Sequence, residues 1–192
     1  MKKYTLYFIR HGKATHNEGF DINGYSAYYD IKYKDSTLVT DGIKESKLLG
    51  DSWEIKDDIE IIFTSPLKRT LQTTMNIFEK SNVDIIALDE LREYPSGLHW
   101  CNNRSNIDIL RKQFPAIDFK NINSNTDNYW KKNRYETYEE LDERIKTFIQ
   151  FVKKHDYSTI AVVGHCSFIA RLLNKELDAI KHCTPYKYEI FN

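Results

Sequence analysis

The sequence of 192 residues carries no excess of charge of either sign: Lys and Arg together number 28, Asp and Glu also 28, and the formal net charge is zero. A global basic field of the kind that draws in nucleic acid or an acidic membrane surface is therefore absent. No apolar run approaches the roughly 20 residues that cross a bilayer, and the apolar stretch behind Met1-Lys2-Lys3 is too short for a secretory signal. Cysteine is scarce. Cys101, Cys166 and Cys183 are odd in number and share no CxxC spacing, which argues against a disulfide framework and against a structural zinc site. No internal repeat and no linker-like stretch divides the chain. What is present, 41% hydrophobic and 29% charged residues, is the balance of a soluble globular protein. The expectation is one cytoplasmic domain over residues 1–192.

Short apolar runs alternate with helix-like segments, the pattern of an α/β fold. Strands are expected at Thr5 to Ile9, Ile59 to Phe63, Asp84 to Leu88 and Thr159 to Val163, mostly rich in Ile or Val as strands covered on both faces should be. Ser65-Pro66 offers a capping hydroxyl and a proline at a first helical position, followed by Leu67, Leu71, Thr74 and Phe78 at helical spacing. Thr137 and Glu140 can form a capping box before Leu141, Ile145, Phe148 and Val152, and a further helix is expected to start near Cys166 or Ser167. The expected architecture is a three-layer α/β/α sandwich with a mainly parallel central sheet. Residues 18–36 and 94–135 break the pattern and are expected to be elaborated loops, of the length that usually forms lids or moves.

The reactive residues cluster at strand ends. The first strand runs into Arg10-His11-Gly12, the second ends before Ser65 and Arg69, the third precedes Leu91-Arg92-Glu93, and the fourth runs into Gly164-His165. Ligands of an open parallel sheet bind beyond the carboxyl ends of its strands, so four segments deliver two Arg, two His and a Glu to one rim. Guanidinium forks suit a phosphate. Lys68 and Arg69 in a helix's first turn oppose the helix dipole, a cost an anion bound there would offset. A neutral histidine, its pKa held down by neighbouring arginines, is a competent nucleophile at neutral pH. A carboxyl near a dianionic phosphate is held protonated and can donate to a leaving alcohol. Together these predict phosphoryl transfer through a phosphohistidine, without a metal or other cofactor.

The same residues carry a resemblance. Arg10-His11-Gly12 through Asn17 is similar to the RHGxxxxN signature of the histidine phosphatase (phosphoglycerate mutase-like) superfamily. Leu38 to Gly42 resembles its LTxxG element, Ser65 to Thr73 its SPLxRTxQT element, and Gly164-His165 its late GH, over about residues 4 to 173. The resemblance implies His11 as the phosphorylated nucleophile, Arg10, Arg69 and His165 as phosphoryl ligands with Asn17 assisting, and Glu93 as the proton donor. Val39 stands where the family usually has a capping Thr, leaving the cap to Thr40 or Asp41. Tyr94 to Trp100 does not look like the substrate-capping segment of the mutases, which favours a phosphatase acting on a small phosphorylated substrate. The alternatives are a phosphoglycerate-type mutase and a silent module that binds phosphorylated ligands.

Other candidates have plainer readings. His16, His99, His155 and His182 read as surface or capping residues, and Cys166 as a small packed one. Asp89 and Glu90 compete with Glu93 for the acid's role. His11 and His16 lack the spacing of a helical zinc motif, so no metal site is expected. Tyr129 to Tyr135 reads as a solvated loop or lid rather than a nucleic-acid surface. Arg104 and Arg111 are candidates to bind a second anionic group of the substrate, should they reach the pocket.

Overall fold

The computed structural model describes residues 2–192. Six strands, β1 (Lys3–Arg10), β2 (Ile61–Thr64), β3 (Ile85–Ala87), β4 (Ile117–Asp118), β5 (Thr159–Gly164) and β6 (Pro185–Phe191), form one sheet in the order β4-β3-β2-β5-β1-β6. All neighbours run parallel except β6, which lies antiparallel on β1. Six α-helices flank the sheet: α1 (Thr15–Asn23), α2 (Thr40–Ser52), α3 (Lys68–Ile77), α4 (Ile107–Gln113), α5 (Tyr138–Lys153) and α6 (Cys166–Leu173).

Successive side chains of a strand point to opposite faces, and the two apolar cores follow that period. Phe8, Phe63, Ile160 and Val162 pack with Phe148 and Val152 of α5 and Phe168 of α6. Ile9, Ile62, Ala161 and Val163 face the other way, onto Leu71 and Ile77 of α3 and Leu110 of α4. Every residue of β2 is buried, as a central strand between two helical layers requires. The sandwich expected from the sequence is the fold observed, with β4 and β6 added at its two edges.

Register is what positions the site. Arg10 lies opposite Gly164 and Thr64 opposite Val163, so β1, β5 and β2 end level with one another. His11 and His165, each one residue beyond its strand, are thereby brought side by side. Gly12 has a packing reason. A Cβ there would stand 2.5 Å from the carbonyl oxygen of Gly42, and one on Gly42 would strike the Lys13 carbonyl, so the turn after β1 and the first turn of α2 touch backbone to backbone.

Two caps differ from the sequence expectation. Helix α3 begins at Lys68, not at Pro66, with Leu67 at its N-cap; the Ser65 hydroxyl lies 2.8 Å from His165 Nε2 and makes only a long 3.5 Å contact with the Leu67 amide. The Lys68 amide instead donates to Asp35 Oδ1 at 2.9 Å, a carboxylate from a distant turn. At α2 the N-cap is Val39, and neither Thr40 nor Asp41 supplies a side-chain cap. The capping box at α5 forms as read: Thr137 and Glu140 each accept the other's backbone N–H, at 3.3 and 2.9 Å.

Candidate active site

At the carboxyl rim of the sheet lies a cavity of about 260 Å³, lined at its floor by Arg10, His11, Asn17 and Glu93. His11 stands at its centre. Its Nδ1 is 2.8 Å from the Gly12 carbonyl oxygen. A carbonyl only accepts, so this contact assigns the proton to Nδ1 and leaves the lone pair on Nε2. Arg69 Nε donates to that Nε2 at 3.2 Å, which requires the same tautomer. Burial, reinforced by the charges of Arg69, His165, His182 and Arg10, holds the His11 pKa well below 6.5 and keeps the ring neutral.

Arg69 and His165 form the layer beneath, both fully buried. Arg69 is fixed by donating to the Cys101 carbonyl at 2.6 Å and to Asn102 Oδ1 at 2.9 Å. The His165 ring meets the His11 ring edge-on with 5.2 Å between centroids. Arg10 donates one terminal nitrogen to the Ile180 carbonyl at 2.8 Å. Arg10 Nε and His165 Nδ1 are buried and have no hydrogen-bond partner among the described residues. Buried polar groups left unspent are costly unless something polar completes them. Asn17 lines the floor and accepts the Ala14 N–H at 2.9 Å.

Glu93 enters from the turn after β3. Its Oε1 accepts the Tyr94 amide at 2.8 Å and the Ser167 amide in the first turn of α6 at 3.1 Å. These contacts, and the charges of Arg69 and Arg10, favour the carboxylate, but burial outweighs them and raises the pKa from 4.5. Asp89 and Glu90 lie elsewhere: Asp89 pairs with Arg92 and Arg104, and Glu90 lines a separate cavity beside α5.

The structure gathers more histidines than the sequence reading did. His16 and His182 flank His11 with ring centroids 5.8 and 5.5 Å away, and His99 lines the cavity wall. His16 is held by Ser36 Oγ at 2.8 Å, and His182 Nδ1 lies 2.5 Å from the His11 carbonyl oxygen. Placement in the run directly after Arg10-His11-Gly12 was the signal available for His16. Nothing local marks His182, which arrives through the return of the chain into β6. His155 does lie away from the rim, against the Phe151 carbonyl near the end of α5 at 2.8 Å. Cys166 lines the cavity as a half-buried thiol whose pKa burial pushes up to about 11, so it is no nucleophile at neutral pH.

Arg104 requires a correction. The sequence makes it a candidate to bind a second anionic group of the substrate if it reaches the pocket, but its side chain is turned inward and fully buried. Its terminal nitrogens donate to the carbonyls of Ser105, Ser124, Asn125 and Thr126 at 3.0–3.1 Å, and its Nε pairs with Asp89 at 3.3 Å. Its terminal donors are all taken, and its Nε, which has no hydrogen-bond partner among the described residues, is buried against Asp89 outside the cavity lining. Arg111 is exposed on α4, 3.8 Å from Asp108. The stretch 129–135 is exposed except for half-buried Trp130, which anchors it with its ring 4.7 Å from Trp100 and its Nε1 donating to the His99 carbonyl at 3.0 Å.

A neutral imidazole with its lone pair on Nε2, a cationic floor and a carboxyl in one cavity define an α/β protein equipped for phosphoryl chemistry. The sequence matches the model of the histidine phosphatase superfamily (branch 1) over residues 6–187. The chain belongs to that superfamily. It is 31% identical to phosphoglycerate mutase-like protein 1 of Arabidopsis thaliana, over 88% of this chain and 71% of the relative. It is 27% identical to phosphoserine phosphatase 1 of Hydrogenobacter thermophilus, over 83% of this chain and 70% of the relative. Among solved structures, phosphoglycerate mutase from Bacillus anthracis superposes with a TM-score of 0.65 at 20% identity, covering 98% of this chain and 88% of that one. Among the described residues no group of three or more His, Cys, Asp or Glu is placed to hold a metal ion, and no helix is long and apolar enough to cross a membrane.

Proposed function

We propose that this protein is a metal-independent phosphatase that hydrolyses small phosphate monoesters through a phosphohistidine on His11. The observation that carries the reading is the His11 tautomer: Nδ1 bonded to the Gly12 carbonyl, Nε2 holding its lone pair beside Arg69 in the cavity that Glu93 shares.

In the first step His11 Nε2 attacks phosphorus while the bond from phosphorus to the ester oxygen breaks. Glu93 gives its proton to that oxygen, and the alcohol leaves. Arg10 Nε and His165 Nδ1 meet phosphoryl oxygens, Arg69 exchanges its contact with Nε2 for one with the transferring group, and Asn17 assists. In the second step water attacks phosphorus, Glu93 takes the water's proton, and the nitrogen–phosphorus bond breaks to release inorganic phosphate. The acid must be protonated before the first step and ionised before the second, which suits a carboxyl whose pKa is raised. Preorganised donors aimed at the developing charge supply most of the rate enhancement.

The test is hydrolysis of p-nitrophenyl phosphate in EDTA by the parent protein and by His11→Ala. The expected result is EDTA-resistant turnover in the parent and a loss of about 10⁴-fold or more in the variant, the scale set by removing a nucleophile elsewhere. Turnover that survives in His11→Ala overturns the nucleophile. Transfer between the hydroxyls of 3-phosphoglycerate that depends on a bisphosphorylated primer, without net phosphate release, would make the protein a mutase instead.

A further inference from the structure

The floor of the cavity accounts for a phosphoryl group; the wall above it accounts for nothing in that chemistry. Tyr25, Tyr28 and His99 line this wall, contributed by the two segments that interrupt the α/β pattern. Tyr28 is its centre. It stacks on Phe20 at 5.3 Å with 17° between planes, lies 5.0 Å from the His99 ring, and meets Tyr25 edge-on at 5.9 Å. His99 in turn meets Tyr29 and Tyr135 edge-on at 5.3 and 5.5 Å, and the hydroxyls of Tyr29 and Tyr135 are hydrogen-bonded to each other. The array is continuous from the floor to the exposed Tyr25 at the mouth.

Charge is as informative as shape. Among the described residues lining the cavity, Arg10 is the one permanent cation, and it belongs to the floor. None of the Lys and Arg side chains of residues 94–135 lines the cavity, and the arginines are committed elsewhere: Arg104 to four carbonyls, Arg111 beside Asp108, and Arg134 to Glu140 through two contacts of 2.6 and 2.7 Å. Lys13, near the floor in sequence, pairs with Asp21 at 2.7 Å. Burial lowers the His16 and His99 pKa values, leaving both rings neutral near pH 7. A second carboxylate or phosphate on a substrate would find no cation above the floor of the cavity.

We infer that the alcohol portion of the substrate carries a flat, uncharged ring seated on Tyr28 and His99, and no second anionic group. This rests on the phosphatase reading for the fate of the phosphoryl group, but the wall's preference is a matter of binding and is measured without turnover. The cavity, at about 260 Å³, is just below the usual range of ligand pockets (about 300–1,000 Å³) and suits a phosphoryl group with one ring system. Offset or edge-on contact between rings adds to the burial of apolar area.

The experiment is calorimetric binding of two phosphonates, which cannot be hydrolysed: benzylphosphonate, with a ring, and phosphonoacetate, with a second anion. The expected result is a Kd about tenfold or more lower for benzylphosphonate, a free-energy difference of about 1.4 kcal/mol. Tyr28→Ala is expected to bring the ratio of the two Kd values towards one, and Tyr28→Phe to preserve it. Equal or tighter binding of phosphonoacetate by the parent protein overturns the inference, whether or not the variants fold. So does a ratio that Tyr28→Ala leaves unchanged. Absence of p-nitrophenyl phosphate hydrolysis, by contrast, counts against the phosphatase reading alone.

Discussion

Arginine does opposite work at the cavity floor and in residues 94–135. At the floor, Arg10 keeps a buried Nε without a partner among the described residues, and Arg69 aims its Nε at the nucleophile. In and beside residues 94–135, Arg92, Arg104 and Arg144 are buried too, and there the terminal nitrogens are all taken by the chain, although the Nε atoms of Arg92 and Arg104 have no hydrogen-bond partner among the described residues. Arg92 binds Asp127 and the Asn102 carbonyl; Arg144 binds Glu136 through contacts of 2.5 and 2.9 Å and the carbonyls of Glu90 and Arg92. The difference teaches how to sort buried cations. A buried arginine turned away from the cavity, with its terminal nitrogens taken by its own chain, holds the fold, whereas one that aims a donor at the cavity or its nucleophile is held ready for an anion.

Breaking the set turned away from the cavity should cost stability. Arg104→Ala leaves four carbonyls without their partner and Asp89 with Arg92 as its remaining counter-ion, and is expected to destabilise the protein by about 3–5 kcal/mol, the usual cost of removing one side of a buried ion pair. Denaturant unfolding measures this, and kcat/KM at low temperature should stay within a few-fold of the parent. A large activity loss with unchanged stability would reverse the assignment. Breaking the set at the floor should do the converse. Arg10→Gln is expected to lower kcat/KM by about 10²–10³-fold, the effect of losing one donor to developing charge, with little change in Tm.

The pH dependence sharpens the contrast further. His11 must be neutral and its pKa is depressed, so the acid limb of kcat/KM should lie below 6.5. Glu93 must be protonated and its pKa is raised, so the alkaline limb should lie above 4.5. Glu93→Gln should remove the alkaline limb. Its rate loss, about 10²–10⁴-fold for an alkyl monoester, should be smaller for p-nitrophenyl phosphate, whose leaving group needs little protonation. A smaller effect falls on stability. Folding depresses the pKa of His11, His16 and His165, and brings His182 to about 4. The unfolded chain therefore binds more protons below 6.5, so stability is full above that pH and is lost as pH falls towards the depressed values. Tm should decline between pH 7 and pH 5, and His16→Gln should make that decline shallower.

Where the fold was legible, apolar residues carried it. Strands β1, β2, β3 and β5 announce themselves as Ile- and Val-rich runs, and their level ends made His11 and His165 readable as a pair. Helix α2 had no apolar stripe to read, because its buried face is Gly42, Ser46 and Gly50, packed by close backbone approach and by Ser46 hydrogen bonds to Gly42 and Asn76. Strand β4 is two residues long, and β6 is a half-exposed edge. The floor of the site lies in local motifs, whereas the wall is tertiary. Tyr28 and His99 are 71 residues apart and meet only because their segments fold onto each other. Arg104 misled because residue type shows that a side chain can bind an anion, while only the path of residues 124–126 shows that its terminal donors are already used.

Asp35 joins these segments. Its carboxylate accepts the Lys68 amide at 2.9 Å and the Ser105 amide at 2.8 Å, and its own amide donates to the Trp100 carbonyl at 3.4 Å. Its backbone is left-handed, with φ of +46°, and its side chain is buried. One carboxylate thus fastens both halves of the aromatic wall to the helix that carries Arg69. For anyone re-engineering this protein, residues 18–36 and 94–135 are a single cassette. Exchanging one half for a relative's loop leaves Asp35 or its partners unmatched, and a new specificity has to be transplanted as the pair.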